Sequence, residues 1–124
     1  MFDVKQGTLQ RKARLVAGAS DTVPDVSTYA SVVSRESVRI AFTLATLNGL
    51  DVLGADCEGA YLNAKSREKL YTQCGPEFRP ELEGRYAIIC RALYGSKSAA
   101  ASWRATISGI IEQLGFKMCR ADND

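Results

Sequence analysis

A run with the character of a buried strand and a stripe with the period of a helix stand on either side of one glycine. Tyr86–Leu93, YAIICRAL, is the strongest strand candidate, rich in Ile and aromatic residues. Gly95 breaks it. Ser98 is placed to cap a helix and Gly115 to stop it. Between them Trp103, Ile107, Ile110, Ile111 and Leu114 fall at i, i+4, i+7, i+8 and i+11, an amphipathic stripe. Upstream, RKARLVA (11–17) reads as a short strand and Gly18 to Ser31, with Pro24, as a loop. A helix is predicted from about Glu36 to Asn48, with Ser34 as N-cap and Gly49 just past its end. Its apolar residues Val38, Ile40, Ala41, Phe42, Leu44, Ala45 and Leu47 cover most of its circumference, which predicts burial on more than one side. Leu50 to Asp56 and Leu70 to Cys74 read as further short strands, and 75–85 as a loop with two prolines and two glycines. The order is strand, helix, strand, strand, strand, helix. The expected class is α+β, a mainly antiparallel sheet with two packed helices.

Composition narrows the chemistry. The chain has 124 residues, one domain's worth, and 46% of them are apolar. With Lys plus Arg at 16 and Asp plus Glu at 14, the net charge is +2. That excludes a disordered polyelectrolyte and a strongly basic nucleic-acid clamp. Histidine is absent, so triads, metal sites and acid–base steps built on imidazole are excluded. No run reaches the roughly 18 apolar residues of a membrane span. The four cysteines, 57, 74, 90 and 119, form no Cys-x-x-Cys clip. The opening MFDVKQGTLQRKARL lacks the apolar core of a secretory leader. Free thiols acting as small hydrophobes, in a reducing intracellular compartment, are therefore expected. Cytoplasm and nucleus are not distinguished.

Four features carry candidate chemistry. Asp56 ends an apolar strand and is followed by small residues. Such a carboxylate either holds a metal at a rigid strand end or starts the turn after it. Tyr61, after Gly59 and Ala60, either stacks on a sugar or base, or packs into the core with its hydroxyl at the rim. Arg11, Lys12 and Arg14 form a basic cluster in which Lys12 and Arg14 share a strand face. That pair suits a triphosphate or a nucleic-acid backbone, or else is a solvated face. Lys97, near Gly95, has the same double reading. The acidic loop with Glu77, Glu81 and Glu83 lacks metal-loop spacing.

Five segments in one order and spacing carry a family resemblance: KARLVAGA (12–19), YASVVSRESVRIAF (29–42), LDVLGADCEGAYLNA (50–64), REKLYTQCGPEF (67–78) and RALYGSKSAAASW (91–103). Together they resemble the reverse transcriptase of Ty1/copia-type LTR retrotransposons, across nearly the whole chain. The resemblance implies an RNA-directed DNA polymerase that uses dNTPs, an RNA or DNA template-primer and two Mg²⁺ ions, with no membrane partner. It implies a fingers-side strand, loop and helix over about 1–49 and a partial palm over about 50–124. Asp56 matches the carboxylate that holds the catalytic metals, and Cys57 the position whose carbonyl assists. Gly59 and Ala60 match amides that meet the triphosphate, and Tyr61 the aromatic gate against a ribose 2′-hydroxyl. Lys12 and Arg14 lie in the fingers strand that supplies phosphate-binding cations. Tyr94, Gly95 and Lys97 match the motif lying against the nascent base pair and template. In-line phosphoryl transfer uses two metals about 3.5–4 Å apart, for which carboxylates are suitable hard ligands.

The sequence also departs from the family. The Tyr-x-Asp-Asp hairpin, expected beyond the second palm helix, is not in this sequence, and Asp122 and Asp124 do not replace it. The expectation is a fold truncated before that hairpin, inactive alone, with an exposed sheet edge and marginal stability. Ala19, Ser96 and the run Ala99–Ala101 differ from the family's usual residues, as in a decaying copy. Two rival readings are a non-catalytic relic that binds RNA or a polymerase partner, and an unrelated α+β domain with a one-metal hydrolase site at Asp56.

Overall fold

The computed structural model describes residues 2–4, 11–18, 27–30 and 32–119. Among these residues four strands and two α-helices follow in order: β1 (Phe2–Val4), β2 (Arg11–Ala13), α1 (Arg35–Leu47), β3 (Lys65–Gln73), β4 (Tyr86–Arg91) and α2 (Ala99–Gln113). Short 3-10 turns occupy Ala60–Asn63 and Pro80–Leu82. The class is α+β, as expected. The strands form two separate antiparallel ribbons, β1–β2 and β3–β4.

Helix boundaries follow from local chemistry. The Ser34 hydroxyl accepts the Ser37 N–H at 3.0 Å and caps α1. At the other end Gly49 takes φ +59°, its N–H donating to Thr46 O at 3.3 Å and the Leu50 N–H to Ala45 O at 2.9 Å. Gly115 closes α2 in the same way, with Phe116 N–H on Ile111 O at 3.2 Å. Both are Schellman stops, which satisfy the last carbonyls of a helix through a left-handed residue. Ser98 does stand at the start of α2, but its hydroxyl makes no cap. Its N–H donates instead to the Glu68 carboxylate at 2.7 Å. A strand residue 30 positions away thus ties α2 to β3 through a charge-assisted bond.

The core is built from small side chains. Ala64, Ala92 and Ala99, each at most 1% exposed, meet where the 3-10 turn, the end of β4 and the start of α2 converge. Ala92 N–H donates to Ala64 O at 3.0 Å and seals that meeting point. Tyr61 and Trp103 pack against it, and Leu93, Cys74 and Ala101 are also buried. The Ala99–Ala101 run is therefore where helix and strand approach closely. Gly95 permits a second close approach. It takes φ +88°, and a Cβ there would run into the backbone of Ala17 and the side chain of Val16. The Ala17 N–H donates to Tyr94 O at 2.7 Å, so the segment after β2 lies directly on the β4–α2 loop.

Several expectations are corrected. Leu50 to Asp56 is not a strand: no described segment pairs with it, and Leu53 is 95% exposed. An apolar run becomes a strand only when another edge takes its hydrogen bonds. Helix α1 has no buried residue, and Ile40, Phe42, Leu44 and Leu47 are exposed. Its pattern encodes a demand for burial, and among the described residues nothing meets it. The stripe on α2 is likewise uncovered at Ile110, Ile111 and Leu114; the buried residues of that helix are Ala99, Ala101 and Ser102. β3 begins at Lys65 rather than Leu70, with an irregularity between those two residues. β1, absent from the sequence reading, pairs with β2, and β2 itself ends at Ala13 rather than Ala17. The cysteines are free, but only Cys74 is buried, so the others are not core residues. Most of the 18–31 loop, with Ala19, and also Asp122 and Asp124, lie outside the described residues. No helix among the described residues is long and apolar enough to cross a membrane.

Two stability predictions follow from this packing. Ala64→Leu overfills the three-alanine contact and is expected to lower unfolding free energy by about 1–3 kcal/mol, whereas Leu53→Ser stays within about 0.5 kcal/mol; urea titration reads both. Glu68→Ala, which leaves the Ser98 N–H without its acceptor, is expected to cost about 1–2 kcal/mol and to speed hydrogen exchange at that amide. Glu68→Gln keeps an acceptor and recovers most of that protection.

Candidate active-site cleft

An open cleft of ≈ 890 Å³ lies between the segment after β2, the 3-10 turn and the β4–α2 loop. It is lined by Arg14, residues 56–61, Tyr94 and Trp103. Three stretches far apart in sequence supply it, and each is held there by the contacts described above. The Ala17–Tyr94 bond brings Arg14 over the loop. The three-alanine contact sets the turn containing Tyr61 beside β4 and α2. Gly59, in the left-handed region, opens that turn, and its carbonyl accepts the Leu62 N–H at 2.8 Å. Asn63 Nδ2 donates to Glu58 O at 3.1 Å and ties the approach to the turn.

The cleft has an aromatic wall and a charged mouth. Tyr61 and Tyr94 stack at 4.9 Å between centroids with planes tilted by 40°. The Arg14 guanidinium sits 5.7 Å from the Tyr94 centroid, a cation–π contact. Tyr61 is half-buried and packed against the core, so its ring is held rigid. Asp56, Cys57 and Glu58 are exposed along the same cleft. Among the described residues the site therefore presents Arg14, two carboxylates and paired rings to a common volume. Among the described residues no group of three or more His, Cys, Asp or Glu converges closely enough to hold a metal ion.

The sequence-derived candidates divide clearly. Asp56, Cys57, Gly59, Ala60, Tyr61, Arg14 and Tyr94 line one cleft. Gly95 does not line it and acts behind it, by letting Ala17 approach. Lys97 is half-buried on the same loop, outside the lining. Lys12 contributes its backbone to β2, and its side chain lies outside the described atoms. Arg11 is exposed on β2 and Glu77, Glu81 and Glu83 are exposed in the β3–β4 connection, away from the cleft. Sequence reasoning missed Glu58 and assigned Trp103 only to the helix stripe. For Glu58 the adjacency to Asp56 was the available signal. For Trp103 no local signal separates a residue that packs on the core from one that also faces a cleft. Glu68, which ties down the start of α2, was missed because its partner is remote in sequence.

The profile of the family described as reverse transcriptase (RNA-dependent DNA polymerase) matches residues 2–123. A curated relative, the retrovirus-related Pol polyprotein from transposon RE1 of Arabidopsis thaliana, is 29% identical over 115 residues. That match covers 89% of this chain and 8% of the relative's length. No solved structure matches. With a family match spanning almost every residue, the chain belongs to the reverse transcriptase (RNA-dependent DNA polymerase) family.

Proposed function

We propose that this chain carries the nucleotide-facing side of a retrotransposon RNA-directed DNA polymerase site. The observation that supports it most is the shared cleft: Asp56, Tyr61, Tyr94 and Arg14 line one volume although 80 positions of sequence, 14 to 94, separate the outermost two. Family membership leaves the unrelated one-metal hydrolase without support.

The chemistry of the donors fits Mg²⁺ of one kind and not another. Mg²⁺ keeps several waters and is typically bound by one or two carboxylates together with substrate phosphates. Asp56, with Glu58 beside it and the Cys57 carbonyl between, is such a donor set. A preformed two-metal cage is not, since the described residues bring no third acidic group to the cleft. When bound, the metal would neutralise phosphate charge and polarise the reacting centre. The chain's own residues do the rest. Arg14 offers a charge-assisted contact to the phosphates. Gly59 and Ala60, without bulk at Cβ, let a triphosphate reach the backbone. Tyr61, held by Tyr94 and the alanine contact, is a rigid wall under the sugar and rejects a 2′-hydroxyl by clash. Tyr94 lies where the paired base would stack. Asp56, Glu58 and a triphosphate repel one another without a cation, so nucleotide binding is expected to require the divalent ion.

Titration of the purified chain with dTTP, followed by Trp103 fluorescence, tests this. Binding is expected only with Mg²⁺ present, and Asp56→Asn should weaken it at least tenfold. Equal binding with EDTA, or by Asp56→Asn, would contradict the metal-anchor role. Tyr61→Ala should narrow the preference for dTTP over UTP by at least fivefold; an unchanged ratio removes the gate. Primer extension on RNA by this chain alone is expected to give no product, and incorporation would overturn that expectation.

A further inference from the structure

One peptide bond outside the cleft carries chemistry of its own. Asn48–Gly49 is the Asn-Gly pair of this sequence, and both residues are exposed at the end of α1. Asparagine is among the thermally labile side chains. It is most labile before glycine, which has no Cβ to shield the backbone nitrogen that attacks the side-chain amide. Nor does the fold supply a shield, since apart from chain neighbours nothing lies within 4 Å of where a Cβ on Gly49 would stand.

Hydrogen bonds hold both reacting groups away from each other. Asn48 Nδ2 donates to Leu44 O at 2.8 Å, and the Gly49 N–H donates to Thr46 O at 3.3 Å. The side-chain carbon of Asn48 meets the Gly49 nitrogen only when both bonds open. That lock is local. Helix α1 has no buried residue, and Leu47, beside the pair, is 76% exposed. A helix end with so little buried opens at low free energy while other elements stay folded. We propose that Asn48–Gly49 is a self-modification site, gated by the C-cap of α1, whose conversion keeps that cap open. On opening, the Gly49 nitrogen gives its proton to solvent and attacks Asn48 Cγ. A C–N bond forms, Nδ2 leaves as ammonia with a proton from water, and a cyclic imide results. Water then opens either imide carbonyl, leaving an aspartyl or an isoaspartyl linkage at position 48. Both products lack the Nδ2 donor to Leu44 O and place a carboxylate at the negative end of the helix dipole. The isoaspartyl form also inserts a methylene into the backbone. The site shares no residue with the cleft and does not depend on the polymerase reading.

Peptide mapping of the full chain, held in neutral buffer at physiological temperature, tests the first half. Trypsin releases residues 40–65 as one peptide, which holds both Asn48 and Asn63. Asn63 precedes Ala64 and is the internal control. Deamidation is expected at Asn48, as mixed aspartyl and isoaspartyl products, at least about tenfold faster than at Asn63. In urea the rate at Asn48 should rise by about fivefold or more, which reads the protection given by the cap. Gly49→Ala is strained at φ +59° and weakens the cap, yet it should slow conversion, because a Cβ shields the nitrogen. The second half is read by hydrogen exchange on Asn48→Asp. Exchange at the amides of residues 48–50 is expected to rise about threefold or more, with the β3–β4 amides unchanged. Conversion no faster at Asn48 than at Asn63 overturns the proposal. So do equal rates with and without urea, faster conversion in Gly49→Ala, or unchanged exchange in Asn48→Asp.

Discussion

Three alanine methyls in contact set the distances from which the rest of the structure follows. Ala64 ends the turn that carries Tyr61, Ala92 follows β4, and Ala99 begins α2. Only side chains this small let a turn, a strand end and a helix start meet at one point. Their own burial contributes little, since each removes about one methyl from water. Their effect is geometric: they bring Tyr61 and Trp103 into contact with the same core, and so turn two distant aromatics into one wall. The Glu68–Ser98 bond and the Ala17–Tyr94 bond then hold the remaining two sides. One anchors the helix to β3, and the other lays the Arg14 segment across the loop.

That arrangement explains how a thin core supports a defined cleft. The large apolar residues are mostly outside it, on α1, on the 50–53 segment and on the outer stripe of α2. Rigidity is concentrated where the chain carries chemistry. The wall is aromatic and packed; the acidic mouth at Asp56 and Glu58 is exposed, which leaves those carboxylates hydrated and open to a cation arriving with a substrate. A buried aspartate would need a partner in place before any ligand came. The mixed charge of the cleft, one guanidinium against two carboxylates, suits a ligand that is itself a metal-bridged anion.

The reverse transcriptase family membership and this geometry meet at particular residues rather than in general shape. Asp56, Tyr61, Arg14 and Tyr94 were singled out for their residue types and motif positions, and all four line the cleft. Gly95 had been matched to the base-pair side of the family's motif, yet in the fold it makes room for Ala17 behind the wall. Two residues of the alanine run, Ala99 and Ala101, are buried where α2 packs. The β3–β4 ribbon shows the opposite relation: Tyr71 and Tyr86 belong to no expected site, and only the cross-strand register brings their rings together.

What the amino-acid order determined by itself was everything governed by neighbours a few residues away. The serine cap of α1, the glycine stops at 49 and 115, the strand character of Tyr86 to Arg91 and the free thiols were all legible there, because capping, turn geometry and local period act over one or two helical turns. The tertiary structure alone decided which apolar surfaces are covered, that Leu50 to Asp56 has no strand partner, that small residues rather than the isoleucine stripe of α2 form its buried side, and that Glu68 holds a helix 30 positions away. Hydrophobic periodicity states that a face prefers to leave water, but the partner that removes it, like the acceptor for an N–H at a helix start, comes from whichever distant segment the chain places alongside.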